Sequence, residues 1–297
     1  MNFKKILITI IFLAVHTVYS YSQQADSLLV ENCLLWQISG NGLAEDSYLF
    51  GTIHIIPKED FFFTGSMKSA FDASKKLIME VDLDVSFSDQ LNLMQKMLLP
   101  EGKSISSYMT KMEYNTLSKY LKDSLKLGGM SLMLIDKIKP MLSFSIILEE
   151  KIKNAKVYEM HFMKLAKKRK MKVVGLETLE EQISIIDHIP IESQVEMLLE
   201  MTNSNNIMEE YNEMVQLYIN QEINKLYEYA KEDRELEKYT DKLLINRNRK
   251  WISLLVKQMN EIACFIAVGS GHLAGEDGLI NLLREEGYKL SPVVVFD

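Results

Sequence analysis

An α+β fold is predicted, with a central mixed β-sheet built from two related βαβ-like halves and a long helical insertion between them. Three observations point there. Short apolar runs ending in glycine stand near both ends of the chain, and each leads into a strand–helix–strand order. Between them, over roughly 86–260, apolar residues recur mostly at spacings of three and four, the period of helices. The 297 residues are 47% hydrophobic and 25% charged, which suits one large domain, or at most two, with a sizeable core.

At the N-terminus, Lys4 and Lys5 precede the apolar run Ile6 to Val15, and Thr17, Ser20 and Ser22 follow. This is the three-part pattern of a secretory signal peptide, too short for a comfortable membrane span. We expect 1–22 to be removed, leaving a domain over 23–297 that is exported to the periplasm or beyond. An uncleaved anchor is the alternative. No cysteine follows the run closely, so a lipoprotein is not expected. No transmembrane span is expected in the mature chain.

Leu34 to Ser39 and Ser47 to Ile53 read as strands joined by a polar hairpin link, Gly40 to Asp46. Beyond His54 come a turn at Pro57 to Asp60 and the run Phe61 to Phe63, either a buried corner or an apolar lip. Thr64 can cap a helix reaching about Ser74. Lys76 to Leu83 then reads as a strand with Glu80 and Asp82 on one face. Acidic residues inside an apolar strand are costly unless they face solvent at an edge, are paired, or bind metal.

Helical segments follow at 86–99, 104–127, 130–150 and 156–170. The methionine-rich run Met130 to Leu148 reads as a core or groove-lining helix, and Lys137, Lys139 and Pro140 exclude a membrane span. Met171 to Gly175 is a strand, with Glu177 just past its end, and Thr178 with Glu181 forms a capping box for the next helix. From about Ile191 to Asn260 the chain is helical and charged, and the run Lys231 to Glu235 reads as a solvated face. Arg247 to Lys250 is either surface charge or a place from which one arginine reaches a site. The last unit is a strand at Ile262 to Val268, a glycine-rich turn, a helix at Gly278 to Glu286 ended by Gly287, and a closing strand at Tyr288 to Phe296.

The chemistry centres on a repeated pattern. Gly51-Thr52-Ile53-His54 and Gly269-Ser270-Gly271-His272 each follow an apolar strand, and they hold two of the five histidines in the chain. Residues just past strand ends line binding crevices in α/β sheets. His161 and His188 read as structural or surface residues. Two imidazoles with one or two carboxylates suit Mn, Fe, Co or Zn, and an incomplete ligand set leaves room for an activated water. A metal-free site with a histidine base is the rival. Ser270 lacks the outer glycine of a nucleophile elbow, and the glycines match no phosphate-cradling pattern. The net charge of −7, with acids and bases interspersed, argues against nucleic acid as a partner. Cys33 and Cys264 either form a disulfide or are buried thiols, and two sulfurs so far apart exclude a cysteine-rich zinc site.

These residues resemble the TraB/GumN family, which is related to the Tiki metalloproteases. The matching pieces are Tyr48 to His54, Glu80 in its strand, Gly175 to Thr178 with Glu181 and Gln182, Arg247-Asn248, and Val268 to Gly278. The resemblance spans essentially the whole mature chain. It implies a central sheet of two related halves with a helical insertion, and a divalent-metal-dependent peptidase acting on a peptide or protein. It makes His54, Glu80 and His272 the metal or catalytic set, with Glu177 and Arg247 as supporting groups. A metal-free esterase-like hydrolase and a non-catalytic binder of peptide or haem are the other readings.

Overall fold

A computed structural model describes residues 29–296, apart from 85, 153, 204–206 and 232–243. The expected leader at 1–22, and the charge run beyond Lys231, lie outside the described residues. Among the described residues there are six strands: β1 (Leu35–Ser39), β2 (Ser47–Thr52), β3 (Lys76–Val81), β4 (Lys172–Glu177), β5 (Cys264–Gly269) and β6 (Lys289–Pro292). Among the described residues, twelve helices follow the chain. The first six are α1 (Gly65–Ala73), α2 (Phe87–Met97), α3 (Lys111–Lys119), α4 (Gly129–Ile135), α5 (Pro140–Lys151) and α6 (Tyr158–Arg169). The rest are α7 (Leu179–Ile186), α8 (Ile191–Asn203), α9 (Ile207–Ile219), α10 (Ile223–Lys231), α11 (Asn246–Glu261) and α12 (Leu279–Glu285).

The strands form one sheet in the order β4-β3-β5-β2-β1-β6. β4, β3, β5 and β2 run parallel, whereas β1 is antiparallel to both β2 and β6. The sheet is therefore mixed, and β6 points the same way as β5. The expected halves are β2–α1–β3 and β5–α12–β6, each a pair of parallel strands joined through a helix. The chain between them is not wholly helical, because β4 returns to the sheet beside β3. β3 is thus an interior strand, and all six of its residues are buried. Near-continuous burial is usual for a strand flanked by parallel neighbours. Glu80 therefore does not face solvent at an edge. β4 also extends beyond the expected end: Gly175 lies inside it and Glu177 is its last residue. The closing strand is shorter than expected and stops at Pro292.

Local chemistry sets the helix ends. The Thr64 side chain caps α1 by accepting from the Met67 amide. The Thr178 hydroxyl accepts from the Glu181 amide at 3.1 Å, and the Glu181 carboxylate accepts from the Thr178 amide at 2.7 Å, completing the expected box. Pro140 divides the methionine-rich run into α4 and α5 by standing at the first position of α5, where a missing N–H costs nothing. Its two parts differ: α4 exposes Met130 and Met133, whereas α5 buries Met141, Leu142, Phe144 and Ile147.

The described residues divide into two compact units. One, at 83–155 and 178–209, is helical, and in it the buried Gln194 amide donates to the carbonyls of Ile186 and Ile189. The other holds the sheet, with α6 packed against β3 and β4. Its core is aromatic: Phe50 of β2, Phe71 of α1, Phe162 of α6 and Phe265 of β5 meet at centroid distances of 5.0–6.3 Å. The phenylalanine run is a packed corner. Phe62 lies among Tyr158, Tyr218 and Phe296, while Phe61 and Phe63 flank His161. Cys33 and Cys264 are separate buried thiols. No helix among the described residues is long and apolar enough to cross a membrane.

Candidate active site

The four parallel strands end at one edge of the sheet, and each delivers a polar side chain there. Thr52 closes β2 opposite Gly269 of β5, and Val81 of β3 pairs with Glu177 of β4. His54 follows two residues after Thr52, and His272 follows Gly269 in a single 3₁₀ turn, Ser270–His272. Glu80 is the penultimate residue of β3. The strand ends thus bring His54, Glu80, Glu177 and His272 to the place where α/β sheets form crevices. Arg247 enters from the first turn of α11, so all five residues singled out in the sequence lie in one buried cluster.

Gly269 marks its centre. A Cβ at that position would lie 3.2 Å from Oε1 of Glu80, 3.6 Å from Cδ2 of His272 and 3.7 Å from Nε2 of His54. Only the approach to Glu80 is tighter than an ordinary contact, so the missing side chain chiefly clears room for that carboxylate. The Gly269 amide donates to Glu80 Oε1 at 2.8 Å, and Nη2 of Arg247 donates to Glu80 Oε2 at 2.6 Å. Burial alone would raise the Glu80 pKa. The Arg247 charge outweighs it, with help from His272, His54 and the Gly269 amide, and brings the pKa down to about 2. Arg247 also donates from Nε to both Glu177 oxygens, at 3.0 and 3.2 Å, and lies over the Trp251 ring at 4.8 Å.

The two histidines sit in different surroundings. Nδ1 of His54 is 2.9 Å from Oε1 of Glu159, which also accepts the Thr52 hydroxyl at 3.0 Å. The segment around it is pinned by the hydroxyls of Tyr218 and Tyr211, which donate to the carbonyls of Gly51 and Ile55. Burial lowers the pKa of His54, but Glu159 and then Glu80 more than reverse that, and the net direction is upward. Nδ1 of His272 is 2.6 Å from Oδ1 of Asn248, and its ring lies against Trp251 at 4.6 Å. Its Nε2 is 3.3 Å from Nη1 of Arg247 and 3.8 Å from Glu80 Oε1. Burial, reinforced by the Arg247 charge, holds its pKa down at about 3 despite Glu80. His272 is therefore a neutral imidazole at physiological pH, whereas His54 is tuned toward carrying a proton.

Glu159, Asn248, Trp251 and Thr52 also belong to this cluster, without a role assigned from sequence. Glu159 did leave a signal. It shares the buried stripe of α6 with Phe162 and Ala166, and a carboxylate on an apolar stripe needs a partner. Asn248 sits next to Arg247, but nothing local says that its amide faces a ring. His161 stays in the phenylalanine corner, and exposed His188 faces the Ser184 carbonyl.

A metal on His54, Glu80 and His272 does not fit this arrangement. The Arg247 guanidinium already stands against Glu80 Oε2 and His272 Nε2, where a cation would be shared. Among the described residues, no group of three or more His, Cys, Asp or Glu side chains is placed to hold a metal ion.

The model of the TraB/PrgY/gumN family matches residues 34–292. A curated relative, metalloprotease TIKI1 of Xenopus tropicalis, is 22% identical over 314 aligned positions, covering 86% of this chain. The chain spans 61% of that relative's length. No solved structure matches.

Proposed function

The chain belongs to the TraB/PrgY/gumN family, and from that premise we propose that it is a hydrolase, acting on peptide bonds, with His54 as its acid–base group. The observation that carries this is the buried His54–Glu159 pair beside Glu80 and His272 at the strand ends. A binder without turnover needs no carboxylate near either histidine, yet Glu80 Oε1 lies 3.8 Å from His272 Nε2 and Glu159 lies against His54.

In this reading Nε2 of His54 takes a proton from water as its oxygen adds to the carbonyl carbon. The same proton passes to the departing amine nitrogen as the C–N bond breaks. Glu159 stabilises the imidazolium formed in between. Arg247 is held by Glu80 and Glu177, so its task is to keep that pair in place and His272 neutral. The test is turnover of a quenched fluorescent peptide library by the purified mature protein. His54→Ala and His272→Ala should each lower turnover by roughly 10²-fold or more, with the thermal transition retained. Full activity in both variants would end this reading.

A divalent-metal-dependent peptidase is the second reading, with Mn, Co, Zn or Fe as the ion. It is supported by the name of the TIKI1 relative and by the anchored Nδ1 atoms of both histidines, an arrangement usual for metal-binding imidazoles. It requires Arg247 to move off Glu80 and His272. Metal content by mass spectrometry separates the two readings. Near-stoichiometric metal, lost in a His54→Ala/His272→Ala double variant, supports the second, whereas metal-free active protein supports the first. Export completes the proposal, and a mature N-terminus near Tyr21 or Gln23 in the exported fraction is its expected sign.

A further inference from the structure

The Nδ1 atoms of the two histidines are held by different elements, and each arrangement leaves one place for the ring proton. Asn248 donates from its amide nitrogen to two backbone carbonyls, those of Asp277 at 2.8 Å and His272 at 3.3 Å. Carbonyls only accept, so the amide orientation is settled and Oδ1 must face the His272 ring. That oxygen also only accepts, so the proton of His272 sits on Nδ1. At the opposite side of the ring, Nε2 faces Nη1 of Arg247, which has only protons to offer. Two independent neighbours therefore demand the same tautomer. For His54 the partner is a carboxylate: Oε1 of Glu159, already accepting from Thr52, lies 2.9 Å from Nδ1, an ion-pair contact whose negative charge favours an N–H there. In both rings the remaining nitrogen, Nε2, is directed into the cluster around Gly269 and Arg247.

We propose that Glu159 and Asn248 are the positioning residues of this site, fixing His54 and His272 as Nδ1–H tautomers so that both Nε2 atoms are the working ones. This rests on the reading of the two histidines as a functional pair. In solution the neutral proton can sit on either nitrogen, and a ring with its proton on Nε2 offers no lone pair where a base needs one. The two anchors are not equivalent. A carboxylate at Nδ1 supports an imidazolium, which suits proton transfer by His54. A neutral amide supports a ring that stays neutral, as Arg247 requires of His272.

The test reads the ring nitrogens directly, by ¹H–¹⁵N correlation on the labelled mature protein, at a pH alkaline enough for both rings to be neutral. In the wild type, both should show a protonated Nδ1 and a bare Nε2. Glu159→Leu should release His54 into a mixture or into the Nε2–H form without changing His272, and Glu159→Gln, which keeps an acceptor oxygen, should restore it. Asn248→Ala should leave the His272 proton on Nδ1, because Nη1 of Arg247 still faces Nε2, but should remove the downfield shift of a hydrogen-bonded Nδ1–H, and Asn248→Asp should restore it. A wild-type Nε2–H tautomer at either ring overturns the proposal, as does an unchanged His54 tautomer in Glu159→Leu or an unchanged His272 Nδ1–H signal in Asn248→Ala. Should Asn248→Ala fail to fold for want of its bond to Asp277, the wild-type spectrum still decides the case for His272. With an active wild type, Glu159→Leu should lower kcat by roughly 10²–10⁴-fold with little change in KM. A wild type without peptide turnover sinks the hydrolase reading alone, because the tautomers are read without it.

Discussion

One guanidinium, that of Arg247, holds two carboxylates and an imidazole in place at once. Its side chain is almost fully buried, as are those of Glu80 and Glu177. Removing one partner from such a cluster leaves uncompensated buried charge, which costs far more than the intact pair contributes. Arg247→Met should therefore destabilise the protein by about 3–5 kcal/mol. Urea denaturation at neutral pH measures this, and a loss below about 1 kcal/mol would show that the carboxylates find other partners. The same substitution removes the cation beside His272, so its ring should become easier to protonate. Glu80 shows how differently one residue reads from the two sides. In sequence it could face water, pair, or bind metal, and a place between two parallel strands leaves only the last two.

At the scale of the element, the sheet edge builds the site, and close backbone approach sets its tolerances. Gly175 stands inside β4, where a Cβ would lie 2.6 Å from the Asp82 amide nitrogen and 2.9 Å from the Glu177 carbonyl oxygen. Both are backbone atoms that cannot swing aside. Gly175→Ala should push β4 away from the end of β3, costing about 1–3 kcal/mol as overpacked sites do. It should also move Glu177 relative to Arg247. A thermal transition unchanged within one degree would contradict this. α11 contributes Arg247, Asn248 and Trp251 from a single buried face, because Trp251 stands four positions after Arg247 and three after Asn248, spacings that share a side of a helix. The apolar period of this helix was readable in the sequence, and the choice between its two nearby arginines came from the family resemblance, which named Arg247. Arg247 goes in, and Arg249 remains outside, paired with Asp277 at 2.7 Å.

For the whole molecule, the perturbed groups at the site make stability depend on pH with a definite sign. The His272 pKa falls from 6.5 to about 3 on folding, so the unfolded chain binds more protons between those values. That contribution is fully present above pH 6.5 and is lost as the pH drops toward 3. Glu80, lowered from 4.5 to about 2, adds stability that is present above pH 4.5 and lost as the pH falls through 2. His54 works the other way: its pKa rises above 6.5, so its contribution is present below 6.5 and lost as the pH climbs through the raised value. Together they place the stability maximum of the site near neutrality, with His272 and Glu80 responsible for the loss on the acid side and His54 for the loss on the alkaline side. Urea midpoints measured from pH 4 to 8 should show this, and His272→Gln should flatten the segment between 4.5 and 6.5. An undiminished midpoint at pH 4.5 would contradict the assignment of His272 as a buried neutral ring.

Most elements were legible along the chain because their causes are local. Alternation and glycine marked β1 and β2, the Thr178–Glu181 box marked the start of α7, and the repeated strand–glycine–histidine pattern marked two strand ends. Membership of the family was legible for the same reason, since it rests on short motifs in a fixed order. Other features depend on residues far apart in sequence. The return of β4 to the sheet buries β3 on both sides, and so decides that Glu80 is an internal charge. Glu159 is one acidic residue among many until the fold places α6 beside the end of β2, 107 positions from Thr52, which donates to it. The sequence by itself determined which residues could do chemistry. Tertiary structure decided which of them touch, which nitrogen of each histidine is held, and that the cation against Glu80 is an arginine, because hydrogen bonds and charge pairing are settled by distance in space.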